Sequence, residues 1–339
     1  MILLLPWRHL QNGLEAAAAS SSFRAVVINR GSPFKFDFER TKHMENQKRI
    51  LGIDIGGSSV KMGVLDSKGG ITDVRKIPTI VSEPEQMADK ISEAALDYTP
   101  DIVGVGTAGR VDHKTNLVSA GNLKWKNIPL KTMLEERLKK PVWIDNDAQA
   151  AMMAESHSGV CKGARCAIFI TLGTGLGGGL VINGKPWRGD DNTAFELGHI
   201  ITHGNECDWS GKTAKGRLEY YASAQSLSRM AGGKSSREVV DGVLEKEPWA
   251  LNIFDMFLHE LAIGLLSIIP IFNPDVIAIG GGLSITGDYL LNGIRKELSN
   301  SYAGAFGFKD TQVKLAVHHN NAGMIGAAAL AKLYLQARN

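Results

Sequence analysis

Two glycine turns are the places where this chain could do chemistry: Asp54-Ile55-Gly56-Gly57-Ser58 and Gly173-Thr174-Gly175-Leu176-Gly177. Each joins two apolar runs that read as antiparallel strands. A turn without side chains lets backbone N–H groups approach phosphate oxygens, and the Ser58 and Thr174 hydroxyls can add hydrogen bonds. A plain hairpin would use the same glycines, so one such turn decides nothing. Two of them, with Gly280-Gly281-Gly282 after the apolar run Val276 to Ile279, favour nucleotide binding.

Other glycine runs fail on context. Gly104 to Gly109 and Gly173 to Gly178 both fit G-x-G-x-x-G, but a dinucleotide fingerprint must open a helix. The first is followed by Arg110-Val111-Asp112-His113 and the second by another strand. Gly233-Lys234-Ser235 resembles the end of a P-loop, yet Ser228 stands where the first glycine is required.

The elements that must hold these turns recur in order. Residues 50–55, 60–65 and 71–77 form a predicted meander, followed by a helix at 84–97 and a strand at 102–106. A helix near 130–139, a strand Val142–Ile144 and a helix from Asp147 complete the first set. The second set opens with a strand at 167–172, a glycine turn at 173–179 and a return strand at 180–182. Helices at 216–231 and 248–269, a strand at 276–279 and a last strand at 313–317 follow, before a C-terminal helix from Ala322. Strand, glycine turn and strand, twice, each followed by helices, predict a duplicated α/β domain with a cleft between the copies.

Composition sets the class. The 339 residues are 44% hydrophobic and 22% charged, which excludes a disordered chain. No run of 18 apolar residues exists, and Leu261 to Phe272 reads as a buried helix. The net charge of +3 is carried by residues 1–49, leaving the body near neutral, without the basic footprint of a nucleic-acid binder. Three cysteines give no disulfide framework and suit a reducing cytoplasm. Residues 1–49 are expected to be a disordered extension or the product of an upstream start, with Met44 a natural beginning. Met1 to Leu5 is too short for a signal peptide.

The ordered motifs resemble the ROK sugar kinases, a family of the actin/hexokinase-like ATPases. Asp54-Ile55-Gly56-Gly57 is similar to the first phosphate motif of that superfamily. Asn146-Asp147-Ala148-Gln149-Ala150-Ala151, Thr171 to Gly179 and Glu196-Leu197-Gly198-His199 are similar to ROK motifs, and the likeness spans about residues 50–339. The resemblance implies two ribonuclease-H-like lobes, residues 50–147 with 322–339 and residues 148–321. It implies ATP, with Asp54 facing Mg2+, Gly56, Gly57, Ser58, Gly173, Thr174 and Gly175 at the phosphates, and Gly280, Gly281 and Gly282 bordering adenosine. It assigns Asn146, Glu196, His199 and Glu219 to sugar hydroxyls, the Gly109 backbone nearby, and Asp147 as both sugar ligand and catalytic base. Carboxylates and an amide suit a polyol, and a carboxylate beside a hydroxyl can accept its proton.

The activity implied is hexose 6-phosphorylation (glucose by default) by a cytoplasmic homodimer acting on no nucleic acid and no membrane. The alternatives within the family are N-acetylmannosamine, N-acetylglucosamine or a β-glucoside. A sugar-responsive repressor would need a helix-turn-helix in the first 49 residues, where Pro6, Gly13, Gly31 and Pro33 stand. An actin-like filament protein would lack the sugar residues. One departure is plain. Most ROK members carry Cys-x-Cys-Gly-x-x-Gly-Cys-x-Glu, which with the Gly-His histidine holds zinc. Here Trp209 and Arg217 replace two cysteines, the stretch is longer, and no zinc site is expected; Cys161 and Cys166 read as packing thiols.

Overall fold

The computed structural model describes residues 48–190, 194–301 and 311–338. The expectations for residues 1–49 therefore lie, apart from Lys48 and Arg49, outside the described residues. Strands β1 (Ile50–Ile55), β2 (Ser59–Leu65) and β3 (Ile71–Pro78) form the meander. Helix α1 (Pro84–Leu96) opens with a proline, tolerated in a first turn because that N–H has no helical partner. It crosses to β4 (Ile102–Thr107), which runs parallel to β1. A small antiparallel sheet not anticipated from sequence follows, β5 (Arg110–Asp112), β6 (Leu117–Ala120) and β7 (Trp125–Ile128). Then come α2 (Leu130–Leu138) and β8 (Val142–Asn146), parallel to β4. The first sheet has the order β3-β2-β1-β4-β8.

The second half repeats this plan. After α3 (Asp147–Ser158) come β9 (Cys166–Leu172), β10 (Leu176–Ile182) and β11 (Lys185–Pro186). Four helices follow, α4 (Leu218–Tyr221), α5 (Ala224–Met230), α6 (Ser236–Leu244) and α7 (Pro248–Phe272). The chain ends with β12 (Val276–Gly280), α8 (Asp288–Ser299), β13 (Gln312–Leu315) and α9 (Ala322–Arg338). Its sheet order, β11-β10-β9-β12-β13, matches the first strand for strand in direction.

Three boundaries differ from the sequence reading for physical reasons. Gly177, Gly178 and Gly179 lie inside β10, paired with Thr171, Ile170 and Phe169, so the turn is Gly173 to Gly175 alone. The helix expected at 216–231 breaks in two, because Ser223 leaves the helix and caps α5 reciprocally with Ser226. The strand at 142–144 continues to Asn146, whose side chain then caps α3.

The layers follow from which faces are apolar. Leu51, Ile53 and Ile55 of β1 cluster with Met87 and Ile91 of α1 and Leu130 and Leu134 of α2. On the second sheet, Ile168, Ile170 and Leu172 cluster with Phe254, Phe257, Leu261 and Leu265 of α7. By length and composition α7 could cross a membrane, but these residues bury it in the core. The other face of the second sheet, Ala167, Phe169 and Ala278, meets Met152 and Met153 of α3 and Leu330 of α9. α3 and α9 thus lie between the two sheets. α9 approaches the first backbone to backbone: a Cβ on Gly104 of β4 would stand 1.9 Å from the Ala327 carbonyl oxygen of α9.

Candidate active site

The parallel register sets the ends of β1, β4 and β8 in a row, Asp54 opposite Gly106 and Gly106 opposite Asp145. Ligands of open α/β sheets bind beyond such carboxyl ends. Asp54 is the last polar residue of β1, and its carboxyl is pushed up to about 6, mainly by burial; Lys61 opposes the shift and Asp147 adds to it. The charge of Asp147 thus reaches Asp54 although the two lie on different elements, Asp54 partly buried and Asp147 exposed. Gly323 at the start of α9 makes room for Asp54, since a Cβ there would sit 2.4 Å from the Asp54 carboxyl carbon. The Lys61 ammonium donates to the Asn320 carbonyl at 3.2 Å, just ahead of that helix.

Asn146 and Asp147 are positioned by the strand-to-helix junction. Asn146 Oδ1 accepts from the Gln149 N–H at 2.8 Å as the cap of α3, which turns Nδ2 towards the Gly109 carbonyl at 3.5 Å. The structure thus brings Asn146 and Gly109 together and leaves Asn146 as a donor. Asp147 Oδ1 accepts from the Ala148 N–H at 2.8 Å. Burial raises the Asp147 carboxyl above its ordinary range, and that N–H only partly offsets it.

The two glycine turns differ in construction. In the first, the Gly56 N–H donates to the Ser59 carbonyl at 3.0 Å and the Thr79 hydroxyl to the Gly56 carbonyl at 2.7 Å, leaving Gly57 and Ser58 exposed. In the second, the Gly173 N–H donates to Gly175 at 3.0 Å and its carbonyl accepts from Ala224 at 2.8 Å, with Thr174 exposed. Gly281, at φ +88°, presses against the Leu172 backbone, so the Gly280–Gly282 turn borders the second glycine turn.

Glu219, on α4, lies across the same region. Its Oε2 accepts from the Leu176 N–H at 3.0 Å, and Gly175 and Gly198 both lie against its side chain. Glu196 precedes the short turn Leu197–His199, His199 ends it, and both are exposed. Gly198, between Glu196 and His199, lies against the Glu219 side chain, so the turn and the start of α4 are neighbours. Gly177 of β10 faces Ala148, the residue after Asp147, at 3.8 Å from a built Cβ, which sets that surface beside α3.

Sequence reasoning missed the support behind Asn146 and Asp147. Asp145 is fully buried, and Arg188, following β11, donates to its Oδ2 from Nη2 at 2.5 Å and Nε at 3.1 Å. His113 Nε2 lies 3.5 Å from Oδ1, and its ring stacks on Trp143. Burial alone would raise the Asp145 carboxyl, but His113 and Arg188 together hold it below the usual range. Forty-three residues separate Asp145 from Arg188, so no local pattern signals the pair.

The two matched sheets are those of the two-lobe actin/hexokinase-like fold of the ROK sugar kinases. The chain belongs to the ROK family, whose family model matches residues 50–333. It is 35% identical over 311 residues to a glucokinase of Streptomyces coelicolor, covering 83% of this chain and 97% of the relative. A β-glucoside kinase of Listeria innocua is 30% identical, with 82% and 96% covered. The crystal structure of a ROK glucokinase from Streptomyces griseus, in complex with glucose and AMPPNP, superposes with a TM-score of 0.70 at 32% identity. That match covers 84% of this chain and 99% of that one.

Proposed function

We propose that the chain is an ATP- and magnesium-dependent hexose kinase that forms a sugar 6-phosphate, with glucose as the acceptor. The observation that carries this is geometric: Asp54 and the Asn146-Asp147 junction stand at the carboxyl ends of the parallel strands β1 and β8, with Asn146 held by the α3 cap and by Gly109. Kinship with a glucokinase and with a glucose-bound ROK structure supports the same reading.

Asp147 accepts the proton of O6 as that oxygen bonds to the γ-phosphorus and the bond to the β-phosphate oxygen breaks. Its raised pKa improves its match to a base working near neutrality. Asn146 offers Nδ2 to a sugar hydroxyl, since Oδ1 is spent on the helix cap. Glu219 keeps one oxygen for the sugar while the other holds Leu176. Glu196, His199 and the Gly109 backbone complete the ring of sugar contacts. Gly56, Gly57, Ser58, Gly173, Thr174 and Gly175 face the phosphates, and Gly280 to Gly282 border the adenosine.

Asp54 fits a magnesium-nucleotide: a carboxylate at about 6 lacks a full counter-charge, and magnesium takes one or two carboxylates plus phosphate oxygens and water. When bound, the ion neutralises charge on the phosphates. The same reading takes residues 50–147 with 322–339 and residues 148–321 as the lobes of a homodimeric, cytoplasmic enzyme, in keeping with three free cysteines.

A second reading, phosphorylation of a β-glucoside or an N-acetylhexosamine, is favoured by the altered Cys207–Arg217 segment that leads into Glu219. A panel of glucose, mannose, cellobiose, N-acetylmannosamine and N-acetylglucosamine with Mg-ATP, followed by ADP release, separates the readings. Glucose should give the highest kcat/KM. A larger value for another sugar moves the substrate assignment, and no sugar-dependent ADP release rejects the kinase.

A further inference from the structure

His199 does not stand alone in the sugar surface. Arg217 places Nη1 3.3 Å from His199 Nδ1. The backbone enforces this neighbourhood: Ile201 bridges Arg217 antiparallel, Leu218 donates to the Ile200 carbonyl at 2.7 Å, and Thr202 and His203 both donate to Gly216. Gly216, at φ +87°, is required there, because a Cβ would stand 2.4 Å from Cys207 Cα.

The chemistry of the pair has one solution. A guanidinium has donors only and keeps its proton. His199 Nδ1 must therefore accept, and the imidazole proton sits on Nε2. The zinc of the wider family does not fit this donor set. A structural zinc wants four ligands, and among the described residues no group of three His, Cys, Asp or Glu could hold a metal. Trp209 is 77% exposed, and Arg217 itself occupies the histidine nitrogen. The loop is closed by a carboxylate instead. Asp208 Oδ1 accepts from the Ser210 N–H and hydroxyl at 3.0 and 2.6 Å, and Oδ2 from those of Thr213 at 2.7 and 2.9 Å.

We infer that Arg217 is a positioning residue that fixes His199 as the Nε2–H tautomer, presenting one donor to a sugar hydroxyl, in a loop closed by Asp208 without metal. The donor role rests on the hexose-kinase reading; the tautomer and the metal independence do not.

Nitrogen-15 spectra of the full chain labelled at histidine, with His199 assigned by loss of its signals in His199→Gln, read the tautomer directly. Wild type should show Nε2 protonated and Nδ1 bare, and Arg217→Ala should move His199 towards a mixture of tautomers. A wild-type proton on Nδ1, or no change in Arg217→Ala, overturns the inference. Dialysis against a strong zinc chelator should leave the melting temperature unchanged; a loss restored by zinc overturns the metal-free loop. With the preferred sugar, Arg217→Ala should raise KM about 3- to 10-fold, the value of one hydrogen bond, with kcat little changed, and Arg217→Lys should recover part of it. A fall in kcat at unchanged KM, with no rescue by lysine, overturns the donor role. A wild-type chain with this tautomer but no kinase activity would sink the hexose reading and leave Arg217's role standing.

Discussion

The two carboxylates separate chemistry from stability. Asp147→Asn keeps the shape and a hydrogen-bonding group, so calorimetry should find sugar affinity within a few-fold of wild type. Turnover should fall by the ~10²–10⁴ typical of a lost general base, and retention of more than about a tenth of wild-type rate removes Asp147 from that role. Asp54→Asn should also abolish Mg-ATP turnover, yet stabilise the unliganded protein. Its folded pKa of about 6 lies above the ordinary 3.8, so the native state holds the proton more tightly and pays for ionisation above pH 6. Removing the charge should add about 1–3 kcal/mol at pH 7, shrinking below pH 6 and vanishing near pH 4. Urea titrations at pH 7 and pH 4 check this, and an equal effect at both would contradict it. Asp54 and Asp147 could be picked out in the sequence because their motifs are local. The Gly323 backbone beneath Asp54 could not, being 269 positions away and carrying no side chain to suggest a role.

Elements hold these residues through contacts that no periodicity reveals. The strand-to-helix order was legible, since apolar runs and glycine turns alternate plainly. The placement of α9 between the sheets was not, because it depends on Gly104 meeting the Ala327 carbonyl. Gly104→Ala should cost about 1–3 kcal/mol or more for overpacking against rigid backbone, measured by denaturant unfolding. No cost would mean that α9 lies farther from β4. The pair behind the Asn146-Asp147 junction is equally non-local. Arg188→Met would leave Asp145 buried with His113 as its one cationic neighbour and the Asn146 N–H on Oδ1, and should destabilise the fold by about 3–5 kcal/mol. A change under 1 kcal/mol would show that His113 and the Asn146 N–H suffice. The glycines of β10 read as a turn in the sequence because glycine signals both turns and crowding; Leu197 against Gly178 and Met152 against Gly179 explain them as crowding.

At the scale of the molecule, two matched sheets each carry a glycine turn, and α3 and α9 lie between the sheets. Both substrates should stabilise the native chain. Glucose at 100 times its dissociation constant should add about 2.7 kcal/mol, seen as a rise in melting temperature, and an unliganded-like melt at that concentration would contradict a glucose site. The most direct measurement is product identification from the purified chain with glucose and Mg-ATP, using phosphorus and proton NMR. One equivalent of glucose 6-phosphate should appear for each ADP. ATP consumed without sugar phosphate, phosphate on a hydroxyl other than O6, or no turnover of any hexose would contradict the assignment of this site as a hexose 6-kinase.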